Sequence, residues 1–90
     1  MKHVVVTTKH RGVFFGKLVS HDRDVVVLKD ARNVLYWDKS AHGFLGLAAK
    51  GPSNASRVGP SVPELTLNGV TSLSQCTDVA VAAWESEPWK

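Results

Sequence analysis

The sequence predicts an α+β, mainly β domain: an antiparallel meander forming a bent sheet or small barrel, SH3-like or Sm-like, with a C-terminal helix packed on it. Three features carry this expectation. Residues 1–39 consist largely of β-branched and aromatic runs separated by short polar breaks. Asn68-Gly69 separates two further short runs, Glu64-Leu65-Thr66-Leu67 and Val70-Thr71-Ser72-Leu73. Asn-Gly supplies the positive-φ positions that a tight hairpin turn needs. Thr77-Asp78 then opens a segment in which Val79, Ala80, Ala83 and Trp84 recur at helical spacing.

Each element has its own reason. Residues 3–8 are β-branched almost throughout and end at the polar break Lys9-His10-Arg11-Gly12. Residues 13–20 form the next run, and Gly16 inside it signals a bulge, a sharp bend or the close approach of another backbone. His21-Asp22-Arg23-Asp24 is a polar turn. Residues 25–29 are too apolar for a wet face along their whole length, so they are covered on both sides or by a partner. Asp30-Ala31-Arg32-Asn33 breaks that run, and residues 34–37 resume it as a fourth strand. In residues 40–63, Ser40 caps a short helix over 41–49 that Gly51 and Pro52 close, and 51–63 is a long loop rich in Gly, Pro and Ser. Residues 64–76 read as a β-hairpin with a type I′ turn. Residues 77–87 read as the C-terminal helix, capped by Thr77 and stopped by Pro88, and 88–90 as a tail.

Ninety residues make a single domain spanning 1–90. A hydrophobic share of 43% with 21% charged residues argues against wholesale disorder. No apolar run approaches the roughly 20 residues of a membrane span, and Met1-Lys2-His3-Val4 does not open like a secretion signal. The single cysteine, Cys76, excludes an internal disulfide framework, so a cytoplasmic location is expected.

The net charge of +3 is unevenly spread: residues 1–45 hold eight bases against four acids, and 46–90 hold three against four. A basic half attracts phosphates, although Lys9-His10-Arg11 is sparser than the clusters of strong nucleic-acid binders. The histidines lack the spacing of a metal site, and no metal or other cofactor is expected. Cys76 precedes a helix N-cap, where a thiolate is stabilised, but free cysteines of small domains are more often simply buried. No nucleophile has an oriented base, so the chain is expected not to be an enzyme. The strongest candidate site joins two groups. The loop offers Ser53, Asn54 and Ser56 with Lys50 and Arg57 as an anion cradle, and its length is that of a functional loop. Arg32 with Tyr36 or Trp37 offers a cation beside a stacking surface, although aromatic residues at such positions are more often structural.

Two resemblances bear on function. Arg11-Gly12-Val13-Phe14-Phe15-Gly16-Lys17-Leu18 followed by Val25-Val26-Val27-Leu28-Lys29-Asp30-Ala31 is similar to the first motif of Sm-like RNA-binding proteins. Across residues 12–89 the chain resembles a small family of uncharacterised proteins encoded by phages, prophages and bacteria. This likeness rests on Asp30-Ala31-Arg32, Tyr36-Trp37, Leu47-Ala48, Gly51, Arg57, Val62-Pro63-Glu64, Leu67, Val70, Cys76-Thr77, Ala80 and the Pro88-Trp89 end. The second resemblance implies a viral context, in which small oligomeric proteins sequester nucleotide defence signals. The resulting expectation is a homo-oligomeric, non-enzymatic binder of a phosphate-bearing small molecule. Self-association would cover Val25-Val26-Val27-Leu28 and Trp89, and Arg57→Ala would weaken binding. The alternatives are an Sm-like RNA or DNA binder and a structural or protein–protein interaction module.

Overall fold

The computed structural model describes residues 2–9, 12–36, 43–52 and 57–85. Along them the chain forms β1 (His3–Thr8), β2 (Val13–Asp22), β3 (Val25–Tyr36), α1 (Gly43–Lys50), β4 (Arg57–Val58), β5 (Val62–Leu67), β6 (Val70–Gln75) and α2 (Asp78–Trp84). Every ladder is antiparallel. The sheet runs β4-β3-β2-β1-β6, with β5 also paired to β3. β4 and β5 follow one another along β3 as a single edge strand interrupted at Gly59-Pro60-Ser61. The expected mainly-β meander with a C-terminal helix packed against it is therefore the fold. The sheet bends without closing into a barrel, since no ladder joins β5 to β6 among the described residues.

β1 explains its own composition. Val4 and Val6 enter one cluster with Val26, Leu28, Ala31 and Leu67. Val5 points the other way, into a second cluster with Val13, Phe15, Val34, Leu47, Ala80 and Trp84. A strand buried on both faces has no place for polar residues. The run in β3 is different: Val26 and Leu28 are buried, while Val25 and Val27 alternate out to partial exposure.

The two helices are joined through α2's cap. Thr77 Oγ1 accepts from Ala80 N at 3.1 Å and donates to Ala49 O at 2.6 Å, and Thr77 N donates to Ala48 O at 3.0 Å. The expected N-cap thus also ties α2 to the end of α1. Fully buried Trp84 donates from Nε1 to Leu47 O at 3.1 Å. α1 extends to Lys50, one residue past the expected end at 49, while 41 and 42 lie outside the described residues, and it is closed by Gly51, whose N–H donates to Leu47 O at 3.0 Å. Ser40 lies outside the described residues. α2 stops at Trp84 rather than 87, with Glu85 as its C-cap. The Trp84 carbonyl would need an amide from residue 88, and Pro88 has none.

Three expectations about strands are corrected. The third and fourth strands are one, β3, because Asp30 takes a left-handed conformation (φ 52) and lets pairing with β2 resume beyond it. The register shifts between Phe15 and Lys17, where Asp30 and Ala31 together face Gly16. A Cβ on Gly16 would stand 3.1 Å from Leu28 Cβ and 3.3 Å from Ala31 Cα, so the expected close backbone approach is real. Second, residues 64–76 are not a hairpin: β5 pairs with β3 and β6 with β1. Gly69 has positive φ (65) but Asn68 does not, and a type I′ turn needs both. The two residues link opposite edges of the sheet instead, held by Lys9 N to Gly69 O at 2.9 Å and Val70 N to Asp24 O at 3.0 Å. Third, the segment 51–63 is not all loop: it contains β4 and the start of β5. Pro63 is tolerated there because β5 is an edge strand.

Candidate functional site

A cleft of about 260 Å³ opens on the helix-bearing face of the sheet, lined by His3, Phe15, Lys17, Asp30, Arg32, Ser61, Trp84 and Glu85. Strand register explains why these distant residues meet. His3 stands opposite Lys17, and Phe15 stands opposite both Val5 and Arg32. Directly opposed residues of antiparallel strands share a face. Continuing the β5 register one position past Val62 brings Ser61 beside Arg32. The C-terminal end of α2 supplies Trp84 and Glu85.

The floor is a stack of three rings. Phe15 and Trp84 lie 4.4 Å apart at 9°, and His3 stacks on Phe15 at 5.6 Å and 18°. Phe15 and Trp84 are buried, so His3 presents the outer part of this stack. Around it stand two cations and two acids. Lys17 Nζ pairs with Asp30 Oδ2 at 3.2 Å, and His3 Nε2 lies 3.7 Å from Glu85 Oε1, beyond hydrogen-bond reach. Arg32 is held differently. Its Nε donates to Gly59 O at 3.3 Å and its Nη1 to Trp84 O at 3.4 Å, and among the described residues it makes no ion pair. Partial burial lowers its pKa from the usual arginine value, yet a guanidinium stays charged in proteins. The bond to Trp84 O also satisfies the helix carbonyl that Pro88 cannot reach.

Of the residues expected from sequence, Arg32 alone lies in this cleft among those whose side chains are described. Lys50 lies at the end of α1, in a separate depression with Leu45, Gly46 and Ala49. Arg57 is exposed on β4, opposite Tyr36 in the β3–β4 register. Among the described residues, β3 thus carries Arg32 into this cleft, while Arg57 and Lys50 lie outside its lining. Trp37, Ser53, Asn54 and Ser56 lie outside the described residues, as does Trp89. His3, Phe15, Lys17, Asp30, Ser61, Trp84 and Glu85 were not anticipated, for their meeting depends on register. Cys76 is buried, and burial pushes its thiol up to about 12, which is opposite to an activated nucleophile.

The cleft sets the Arg32 guanidinium beside the ring stack, of which His3 is the accessible member. Its charges are balanced, Lys17 and Arg32 against Asp30 and Glu85, so it lacks the surplus of positive charge that nucleic-acid backbones select. No described helix is long and apolar enough to cross a membrane. No curated protein and no solved structure matches the sequence. Residues 1–84 match the family described as Domain of unknown function (DUF6948), and the chain belongs to that family.

Proposed function

We propose that this domain is a non-enzymatic binding protein whose ligand is a small anion-bearing molecule seated on Arg32. One observation carries the reading: among the described residues a partly buried guanidinium is fixed by two backbone carbonyls and by no carboxylate, in a cleft beside a ring stack. Two of its five N–H groups meet these carbonyls, and the other three have no partner among the described residues, which supports an oxyanion as the missing acceptor. The volume, about 260 Å³, lies just below the roughly 300–1,000 Å³ of sites for drug-sized ligands, which favours a small metabolite. A phosphate-bearing ligand and a carboxylate use the same donors. Exposed Leu35, Leu45 and Val79 support self-association, and a viral context would make sequestration of a signal molecule the biological use.

The test pairs native mass spectrometry of gently purified protein with titration of inorganic phosphate and acetate, followed by amide chemical shifts. Anions should shift the amides around Gly59, Glu85 and Lys17. Arg32→Gln should weaken binding about 10- to 100-fold, the worth of a hydrogen bond to a charged group, and Arg57→Ala should leave it intact. Equal affinity in Arg32→Gln would refute the assignment.

A further inference from the structure

We infer that the cleft selects a small zwitterion of the amino-acid type, with its carboxylate on Arg32, its ammonium on Glu85 and its body against His3, the accessible end of the ring stack. This rests on the anion reading above and narrows it. The four charges of the cleft are not equivalent. Lys17 and Asp30 neutralise one another at 3.2 Å. Arg32 has carbonyl partners but no carboxylate among the described residues. Glu85 has the imidazole of His3 at 3.7 Å and no Lys or Arg within ion-pair distance among the described residues. Among the described residues, one cation and one anion of the cleft thus remain without a strong ionic partner, and no ion pair joins them to each other. Their proximity is built into the chain, because Arg32 donates to the carbonyl of Trp84 and Glu85 is the next residue.

A ligand carrying only negative charge gains Arg32 and is opposed by Glu85. A ligand carrying only positive charge gains Glu85 and is opposed by Arg32. A molecule with both groups gains at each end, and neither protein charge is then left without a counter-charge beside an apolar floor. The cleft's small volume calls for a compact body between the two groups. Glu85 is exposed over 60% of its side chain, so solvent weakens its contribution and the preference is set at about tenfold rather than the full strength of a buried pair.

Three probes of one carbon frame separate the terms: L-leucine, 4-methylpentanoate, which lacks the amine, and 3-methylbutylamine, which lacks the carboxylate. Binding is read by amide chemical shifts of the full-length protein. Leucine should bind about tenfold tighter than 4-methylpentanoate, and the amine weakest of the three. Glu85→Gln should shrink the leucine preference to below about threefold, whereas Arg32→Gln should weaken both carboxylates. Equal affinity for leucine and 4-methylpentanoate, with both lost in Arg32→Gln, overturns the zwitterion assignment and leaves the anion site standing. Binding of inorganic phosphate with no binding of leucine does the same. Binding of no anion at all removes both readings. Thermal unfolding of each variant, expected to stay cooperative with a midpoint above the assay temperature even where Arg32→Gln loses its two carbonyl bonds, shows that the fold persists.

Discussion

Gly51 is where the packing of α1 on α2 can be tested most sharply. Its φ is +84, and a Cβ built there would stand 2.6 Å from Ala83 Cβ and 3.1 Å from Ala80 O. Two separate penalties follow for Gly51→Ala. An L-residue in the left-handed region costs roughly 1–2 kcal/mol. The Cβ–Cβ contact must be relieved by moving one helix against the other, and overpacking of this kind costs roughly 1–3 kcal/mol. The sum, roughly 2–5 kcal/mol, is a large part of the roughly 5–15 kcal/mol that stabilises a domain. The second penalty is removable. Ala83→Gly takes away the opposing methyl and by itself costs about 1 kcal/mol as a helix-interior glycine. In the double variant the clash is gone and the φ strain remains, so the two changes should couple favourably by about 1–3 kcal/mol. Urea unfolding of the four proteins supplies the cycle. A loss below about 1 kcal/mol in Gly51→Ala, or strict additivity in the double variant, would refute the contact and with it the close seating of the helices that lets Trp84 reach Leu47 O.

Two further outcomes follow from buried groups. Trp84→Phe keeps a ring over Phe15 but removes the indole N–H. Because Leu47 O also accepts from Gly51 N at 3.0 Å, the carbonyl keeps a partner. The loss should therefore be about 1 kcal/mol for the bond plus about 1 kcal/mol for the vacated volume, read as a lower urea midpoint. Cys76 should resist alkylation at pH 8 in the folded protein and react on unfolding. Its folded thiol ionises at about 12 against an ordinary 9.0, so the folded state holds its proton where the unfolded state releases it. The stability this provides is present below pH 9 and lost as pH rises toward 12. Between pH 9 and 10 the parent should lose about 1 kcal/mol more than Cys76→Ala, and parallel pH curves for the two would contradict the burial argument.

What could be read from the sequence was what local chemistry fixes. Thr77 needs only its own hydroxyl and the amide of Ala80 to cap α2. Val4-Val5-Val6 needs only its β-branched composition to be a strand, but its burial on both faces depends on packing, and the strand expected to be so covered, 25–29, leaves Val25 and Val27 partly exposed. Gly16 signalled the crossing of another backbone without naming it. The Asn68-Gly69 link was misread because Asn-Gly permits a type I′ turn without requiring one. The sheet's pairing, not the dipeptide, decided that β5 and β6 lie on opposite edges. The break at Asp30 was misread for a related reason. Polar residues mark the end of a strand and also the bulge within one, and only the partner strand tells them apart.

That bulge is also what assembles the cleft. Before it, the even-numbered Val26 and Leu28 face the cluster beneath the bend, with Val4 and Val6. At the bulge the odd-numbered Ala31 takes over that face. Beyond it the even-numbered Val34 faces the helices, with Phe15 and Trp84, and Arg32, two positions earlier, shares this side. The one extra residue at Asp30 thus inverts the alternation of β3 and turns Arg32 from the inner face to the cleft. Without it, the guanidinium would point among the buried valines, and neither Gly59 O nor Trp84 O would be within reach. The same residue answers Lys17 at 3.2 Å. The left-handed backbone of Asp30 is therefore the means by which a continuous strand serves two cores, and Arg32 stands in the cleft as a direct consequence of that strain.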